Sequence, residues 1–414
     1  MIQHWFKIIW NKKRQHFLMS LEMFASFLVV CVLFIQAARV YYNYQEPLGF
    51  QYRQIWVVSF DTKESGNEWQ KNDHAGRFKR LTDGLEGFPE VLGVAGMDLL
   101  PFDYSNWNQG DSIPGENIQI ERTSVTDNLL PVMGLQLVEG EWYNSAHDAL
   151  PYSPVVITEG LAKKAFGGES PIGKRIFPIL DESMGERYQE LMAKGEHREQ
   201  RVVGVVKAYR KNGELEETDP VAFRRAAPAD TIMTRMPQHI VLRVEEGAMS
   251  AQFEEKAMKL LESMEPQWTF YLRPLEKLRE RRFRETVLPL TSFGLVAGFL
   301  LVMVGLGLIG VLWQNITARR PEIGLRRALG ADQGSIFMQI LGELLVLCTV
   351  SLAAGSLIVW QFPLLEIMQE IPAKAYATGW LAAVIFLYLL TILCGLYPSY
   401  MATAISPTEA LHDE

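Results

Sequence analysis

Residues 12–38 read KKRQHFLMSLEMFASFLVVCVLFIQAA, a basic start followed by an apolar run whose one acidic residue is Glu22. A bilayer-crossing helix needs about 20 mostly apolar residues, and 17–38 supplies them. A cleaved signal peptide is the competing reading. Its apolar core would span about 7–15 residues before a small-residue cleavage site. Here the run is longer and ends Ile35-Gln36-Ala37-Ala38-Arg39, a poor site, so an uncleaved anchor is expected. Three more runs match it in length and character: 288–313, 336–360 and 378–402.

Orientation follows from the basic residues, which favour the cytoplasmic side. Lys12, Lys13 and Arg14 place the tail 1–16 inside. The loop 314–335 holds Arg319, Arg320, Arg326 and Arg327 against Glu322 and Asp332, and returns to the same side. The expected layout has 17–38 as the first span and 39–285 as an exported domain with its stalk. The second span, with its entry turn, is 286–313, and 314–335 is a cytoplasmic loop. The third span is 336–360, then comes a short outer loop 361–377, the fourth span 378–402 and a cytoplasmic tail 403–414. Both termini are then inside.

Composition limits the alternatives. The 414 residues carry a formal net charge of −8, which argues against nucleic acid as a partner, since that requires clustered Lys and Arg. Cys31, Cys348 and Cys394 all lie inside apolar runs, so neither a disulfide framework nor a metal spacing is expected. No G-x-S-x-G or H-E-x-x-H occurs and the seven histidines are scattered, so nothing points to catalysis. Residues 168–174, GESPIGK, imitate a phosphate-binding loop. The next position is Arg175, where Mg²⁺ would need a Ser or Thr hydroxyl, and Pro171 removes a backbone donor. A turn between helix and strand is expected there.

The middle of the chain mixes strand-like runs, QIWVVSF (54–60), PVVIT (154–158), RVVGVV (201–206) and IVLRV (240–244), with helical patterns at 159–165 and 251–264. This predicts an α+β domain. Residues 179–200 form a charged insert, read as a surface excursion. From Leu275 the run LEKLRERRFRETVLPL enters the second span without a Gly. It is either a force-transmitting stalk helix or a simple connector, with Pro289 a place for a kink. Gly294, Gly298 and Gly305 offer a small-residue face, for a subunit interface or for packing within the chain. Glu343 lies inside the third span, where an ionised group is costly and often functional. It serves a proton relay or, the favoured reading, a contact with a nearby Arg or helix end. Glu22 is placed to reach the membrane interface.

Residues 319–347, RRPEIGLRRALGADQGSIFMQILGELLVL, resemble the cytoplasmic loop of MacB- and FtsX-type ABC permeases, shared also by lipoprotein-releasing permeases. The closing segment 397–414, YPSYMATAISPTEALHDE, is similar to theirs, with Pro398, Ala402, Pro407, Ala410 and Leu411 in matching places. TDNLLPVMGLQLVEGEWYN (126–144), PVVITEGLAKKAFGGESPIGKRI (154–176) and RVVGVVKAYR (201–210) look like the MacB-type periplasmic core. The resemblance implies an α-helical inner-membrane protein of four transmembrane helices, with a large α+β periplasmic domain inserted between the first and second.

It further implies a dimer, of identical chains or with a related permease, surrounded by membrane lipid. A cytoplasmic ABC ATPase would hold the ATP and Mg²⁺, with no cofactor in this chain. Because no ATPase sequence precedes the first span, the motor is expected to be a separate chain. A periplasmic or outer-membrane adaptor is a further candidate partner. The loop is expected to be the ATPase-coupling element, through Arg320, Glu322, Ile323, Gly324, Arg326, Arg327, Leu329, Gly330 and Ala331. Its physical signals agree: Pro321 suits a helix start, Glu322 complements the positive helix end and Gly330 suits a stop. Ile323, Leu325 and Leu329 provide apolar contacts. The expected function is transmission of ATP-driven motion for export or extraction of an amphiphile, peptide or lipoprotein. The alternative is an FtsX-like regulator that activates a periplasmic cell-wall hydrolase.

Overall fold

The computed structural model describes residues 13–62, 74–103, 108–113, 116–176, 199–216, 220–226, 237–365 and 371–403. The chain divides into two compact units, Met1–Tyr42 with Val287–Glu414, and Asn43–Thr286. The insert at 179–200 lies, but for its last two residues, outside the described residues, as does the tail after Thr403.

In chain order the elements are α1 (Lys13–Gln45), β1 (Ile55–Asp61), α2 (His74–Glu86), β2 (Val91–Met97), β3 (Asn108–Ile113) and β4 (Glu116–Val125). Then come α3 (Leu129–Met133), β5 (Leu137–Gly140), β6 (Ser153–Thr158), α4 (Glu159–Phe166), β7 (Gln200–Val206), β8 (Val221–Arg225) and β9 (His239–Val244). The chain continues through α5 (Ala251–Met264), β10 (Thr269–Pro274), α6 (Leu275–Ala318), α7 (Arg320–Ala328), α8 (Gln333–Val359), α9 (Gln361–Leu364) and α10 (Ala373–Thr403).

The unit Asn43–Thr286 is built on one mixed sheet ordered β10-β1-β9-β2-β4-β8-β6-β7-β5, with β3 on β4. Only β4–β8 and β6–β7 run parallel among the described pairs. Strand β1 shows why an unbroken apolar run is needed. Side chains alternate between sheet faces, so Ile55 and Val57 enter a core with Leu129, Val132 and Met133 of α3. Trp56 and Val58 enter the opposite core, beneath Leu81 and Leu85 of α2 and Phe253, Ala257 and Leu261 of α5. A third core lies under α4, where Leu161 and Ala162 meet Val155, Ile157, Val202 and Ala222.

The other unit consists of the long helices. Among the described residues, four helical runs are long and apolar enough to cross a membrane: Met19–Gln45, Leu275–Ala318, Gln333–Pro363 and Ala373–Met401. Helix α6 runs unbroken from the stalk through Pro289 for 44 residues, a length of about 66 Å at about 1.5 Å per residue. In α1, Met19, Met23, Phe27, Cys31 and Ile35 recur at helical spacing and pack against Leu347 and Leu352 of α8 and Ala383 and Leu387 of α10. Small residues set the closeness of the helices. A Cβ on Gly379 would overlap the Ile35 backbone, and one on Gly355 would overlap the Phe27 ring. Ser351 Oγ donates to Ser20 O at 3.0 Å and Trp380 Nε1 to Ser356 Oγ at 2.9 Å, adding polar ties between helices.

Candidate coupling site

Helix α7 forms because Pro321 pre-sets its first turn and Glu322 offers negative charge to its N-terminal end. It stops at Gly330, whose φ of 94° is the left-handed conformation glycine adopts without strain. Asp332 then caps α8, its side chain accepting from Gly334 N at 3.2 Å. The loop is thus a short helix between two defined ends.

One face of α7 is held by its own chain. Ile323 is buried and packs with Ile336, beside Ile316, Ala331 and Ile340, and Gly324 is buried as well. Arg326 donates to Glu322 Oε1 at 2.7 Å and to Gln339 Oε1 at 2.8 Å. Gln339 passes the connection on, its Nε2 donating to Glu343 Oε1 at 3.1 Å. The second carboxylate oxygen of Glu343 accepts from Arg319 Nη1 at 2.6 Å. Glu343, buried in the third span, is therefore a structural acceptor for the loop. A cavity of about 50 Å³ lies beneath, lined by Met19, Ile316, Ile323, Gln339, Glu343 and Leu347 among others.

The opposite face is open. Leu325 is 55% and Leu329 80% exposed, so the three apolar residues of the loop divide, Ile323 inward and the two leucines outward. Gly330 is exposed and Ala331 half-buried. The Arg320 and Arg327 side chains lie outside the described residues. Sequence reasoning did not single out Arg319 or Gln339 as site residues. The available signal was Gln339 four positions before Glu343, neighbours on one helix face.

The glycines of α6 also divide. Gly294 and Gly298 are exposed with open space around them, whereas a Cβ on Gly305 would touch Cys394 of α10. Gly305 therefore packs within the chain and does not share the open face. Glu22, read as placed to reach the interface, is half-buried with its carboxylate against Gly307, where a Cβ would displace it. In the GESPIGK turn, Gly173 N donates to Val202 O at 2.8 Å and Lys174 N to Pro171 O at 3.0 Å. Lys174 Nζ is paired with Glu169 at 2.5 Å. Those two backbone donors are spent on the fold and the lysine is spent on a neighbour, so the turn presents no phosphate cradle.

A sheet-bearing domain spliced between the first two of four helices able to cross a membrane, with a short exposed-leucine helix after the second, is the layout of a multi-pass membrane protein. Family models match both parts: the MacB-like periplasmic core domain over residues 25–260, more than half of the chain, and the FtsX-like permease C-terminal domain over 294–407. The chain belongs to the MacB/FtsX-type family of ABC transporter permeases, multi-pass proteins of the inner membrane. It is 25% identical to the macrolide export ATP-binding/permease protein MacB of Vibrio parahaemolyticus, over 68% of this chain and 40% of that protein. It is 22% identical to the MacB of Acinetobacter baylyi, over 84% of this chain and 50% of that protein. The chain thus spans half or less of the length of these two relatives. The crystal structure of the periplasmic region of MacB from Actinobacillus actinomycetemcomitans aligns over 57% of this chain and 96% of that one, at 15% identity and a TM-score of 0.36.

Proposed function

We propose that this chain is the permease subunit of an ABC transporter, receiving motion at 319–331 from a separate cytoplasmic ATPase and delivering it to a periplasmic domain. The carrying observation is the two-sided helix α7. Its inner face is fixed through Ile323, with the Arg319–Glu343 pair just before the helix, and Leu325 on its outer face and Leu329 in the turn that follows are exposed. A helix so held moves with α8 when its leucines are pushed. ATP and Mg²⁺ belong to the ATPase. The orientation, with both termini cytoplasmic and 39–285 outside, rests on the basic residues at 12–14 and 319–327. The permease works as a dimer, and the open Gly294/Gly298 face of α6 suits that contact.

The substrate class is an amphiphile, peptide or lipoprotein engaged outside the inner membrane. Two relatives are named as macrolide exporters, which supports the amphiphile. The match to a MacB-like core over 25–260 weighs against the hydrolase-activating alternative.

The test is co-purification of the ATPase from native membranes, with Leu329→Asp and Glu322→Lys compared with wild type. Leu329→Asp puts a charge on the outer apolar face. Glu322→Lys removes the Arg326 partner and places positive charge at the positive helix end, at about 0.3–1 kcal/mol. Both variants should insert and dimerise, yet lose bound ATPase or its stimulated hydrolysis. Wild-type complex yield and coupled activity in both would remove the loop as coupling element.

A further inference from the structure

Residues 209–216 join three parts of the unit Asn43–Thr286 that are distant in sequence. The first is the sheet. Lys211, 1% exposed, donates from Nζ to Glu121 Oε1 of β4 at 3.2 Å, and Phe102 N donates to Lys211 O at 2.7 Å. Tyr209 packs its ring against Phe50 and Phe223. A buried ammonium needs such a partner, so this end of the segment is anchored.

The second part is the end of α1. Arg210 is 2% exposed, and its guanidinium is spent on backbone carbonyls. Nη1 donates to Asn43 O at 2.5 Å and to Glu46 O at 2.9 Å. Nη2 donates to Glu214 O at 3.0 Å and to Glu216 O. The last carbonyls of a helix lack partners within it and carry its negative dipole end. A planar cation with a fork of donors answers both needs. Asn43 Nδ2 returns a bond to Leu215 O at 3.1 Å.

The third part is the start of α6. Arg279 Nε donates to Glu214 Oε1 at 2.5 Å, with its guanidinium 4.5 Å from the centre of the Tyr52 ring. Arg282 Nη2 donates to Glu216 Oε1 at 3.0 Å. Positions 279 and 282 are three apart and share a helix face. The turn that lets one short segment reach both helices includes Gly213, at φ 98°.

We infer that 209–216 is a clamp that fixes the end of α1 and the start of α6 to each other and to the sheet, with Arg210 as its positioning residue. Arg210 and Lys211 make its buried, permanent half. Glu214 and Glu216 make the half that holds α6 through two ion pairs. The clamp makes the end of α1 from Asn43 and the start of α6 move with the sheet of their own unit. Its part in transmission rests on the permease function proposed for the chain; the tie itself does not.

Spin labels on Tyr44→Cys and Arg284→Cys, both exposed positions, measure the separation by electron double resonance on the full protein in nanodiscs. The three native cysteines are buried and do not take label. With labelled chains diluted in excess unlabelled protein, so that only pairs within one chain are read, the clamped protein should give one narrow distance distribution. Glu214→Gln with Glu216→Gln should broaden it, and Glu214→Arg should broaden it further, without loss of the folded protein. Combining Glu214→Arg with Arg279→Glu should narrow it again. An unchanged width in Glu214→Arg overturns the clamp, and so does a broadening that the charge swap leaves in place. Should Glu214→Arg not fold, the double glutamine variant decides alone: unchanged width overturns the clamp. No ATPase is present in this measurement, so its outcome is independent of the coupling loop.

Discussion

Arg319 and Glu343 stand 24 positions apart in the chain and meet at 2.6 Å, one at the end of the second membrane helix region and the other inside the third. Both are largely buried, so the pair works by geometry: neither partner can leave without stranding the other's charge.

Glu343→Gln should therefore loosen the 319–331 segment. The lost charge-assisted bond is worth about 1.5–3 kcal/mol. Faster hydrogen exchange across 320–328, with exchange in α10 unchanged, is the expected result. Replacing both partners by apolar residues, Arg319→Met with Glu343→Leu, should restore much of the stability while leaving coupling impaired. Unchanged exchange in Glu343→Gln would mean the pair does not hold the helix.

The glycines of the membrane unit should separate into two classes. Gly379→Ala forces a methyl into the Ile35 backbone and should cost about 1–3 kcal/mol, as overpacking does, seen as a lower Tm in detergent. Gly298→Leu meets open space and should leave the Tm unchanged. If the outer face of α6 joins two permeases, Gly298→Leu lowers the dimer fraction in light scattering. A dimer fraction equal to wild type removes Gly298 from the contact.

Burial holds the His239 imidazole down at about 4, against an ordinary value of 6.5, with Asp103 opposing the change and Arg273 adding to it. Its ring nitrogen pairs with Ser59 Oγ at 2.9 Å. Between those two values the unfolded chain binds a proton that the native chain refuses, so stability is lost as pH falls from 6.5 toward 4. The size is roughly 2–4 kcal/mol, since each tenfold change in proton affinity is worth about 1.4 kcal/mol. Denaturation of the full protein at pH 7.5 and 4.5 should show this loss, and His239→Gln should flatten it. An equal loss in the variant assigns the acid sensitivity elsewhere.

Topology is testable with Lys163→Cys on α4 and Ala328→Cys on α7, both exposed. An impermeant maleimide added to spheroplasts should label the first alone and both after lysis. Labelling of both in intact cells would break the orientation drawn from the basic residues.

The four apolar runs, the α+β character of the middle and the loop 319–331 with its helix start and stop were legible in the sequence. Those features are local: bilayer length, side-chain periodicity and cap chemistry are written in consecutive residues. Strands β4 and β8 were not legible. ENIQIERTSV and VAFRR carry charges that belong to surfaces, until Glu121 meets Lys211 at 3.2 Å and Arg225 meets Asp127 at 2.6 Å. The tertiary structure alone decided that Ile323 turns inward while Leu329 stays out, that Gly305 packs inside while Gly298 faces open space, and that Arg210 caps a helix ending more than 160 residues earlier. The physical reason is common to all three. A side chain's value depends on which distant group desolvates it or bonds to it, and only the packed chain brings those groups together.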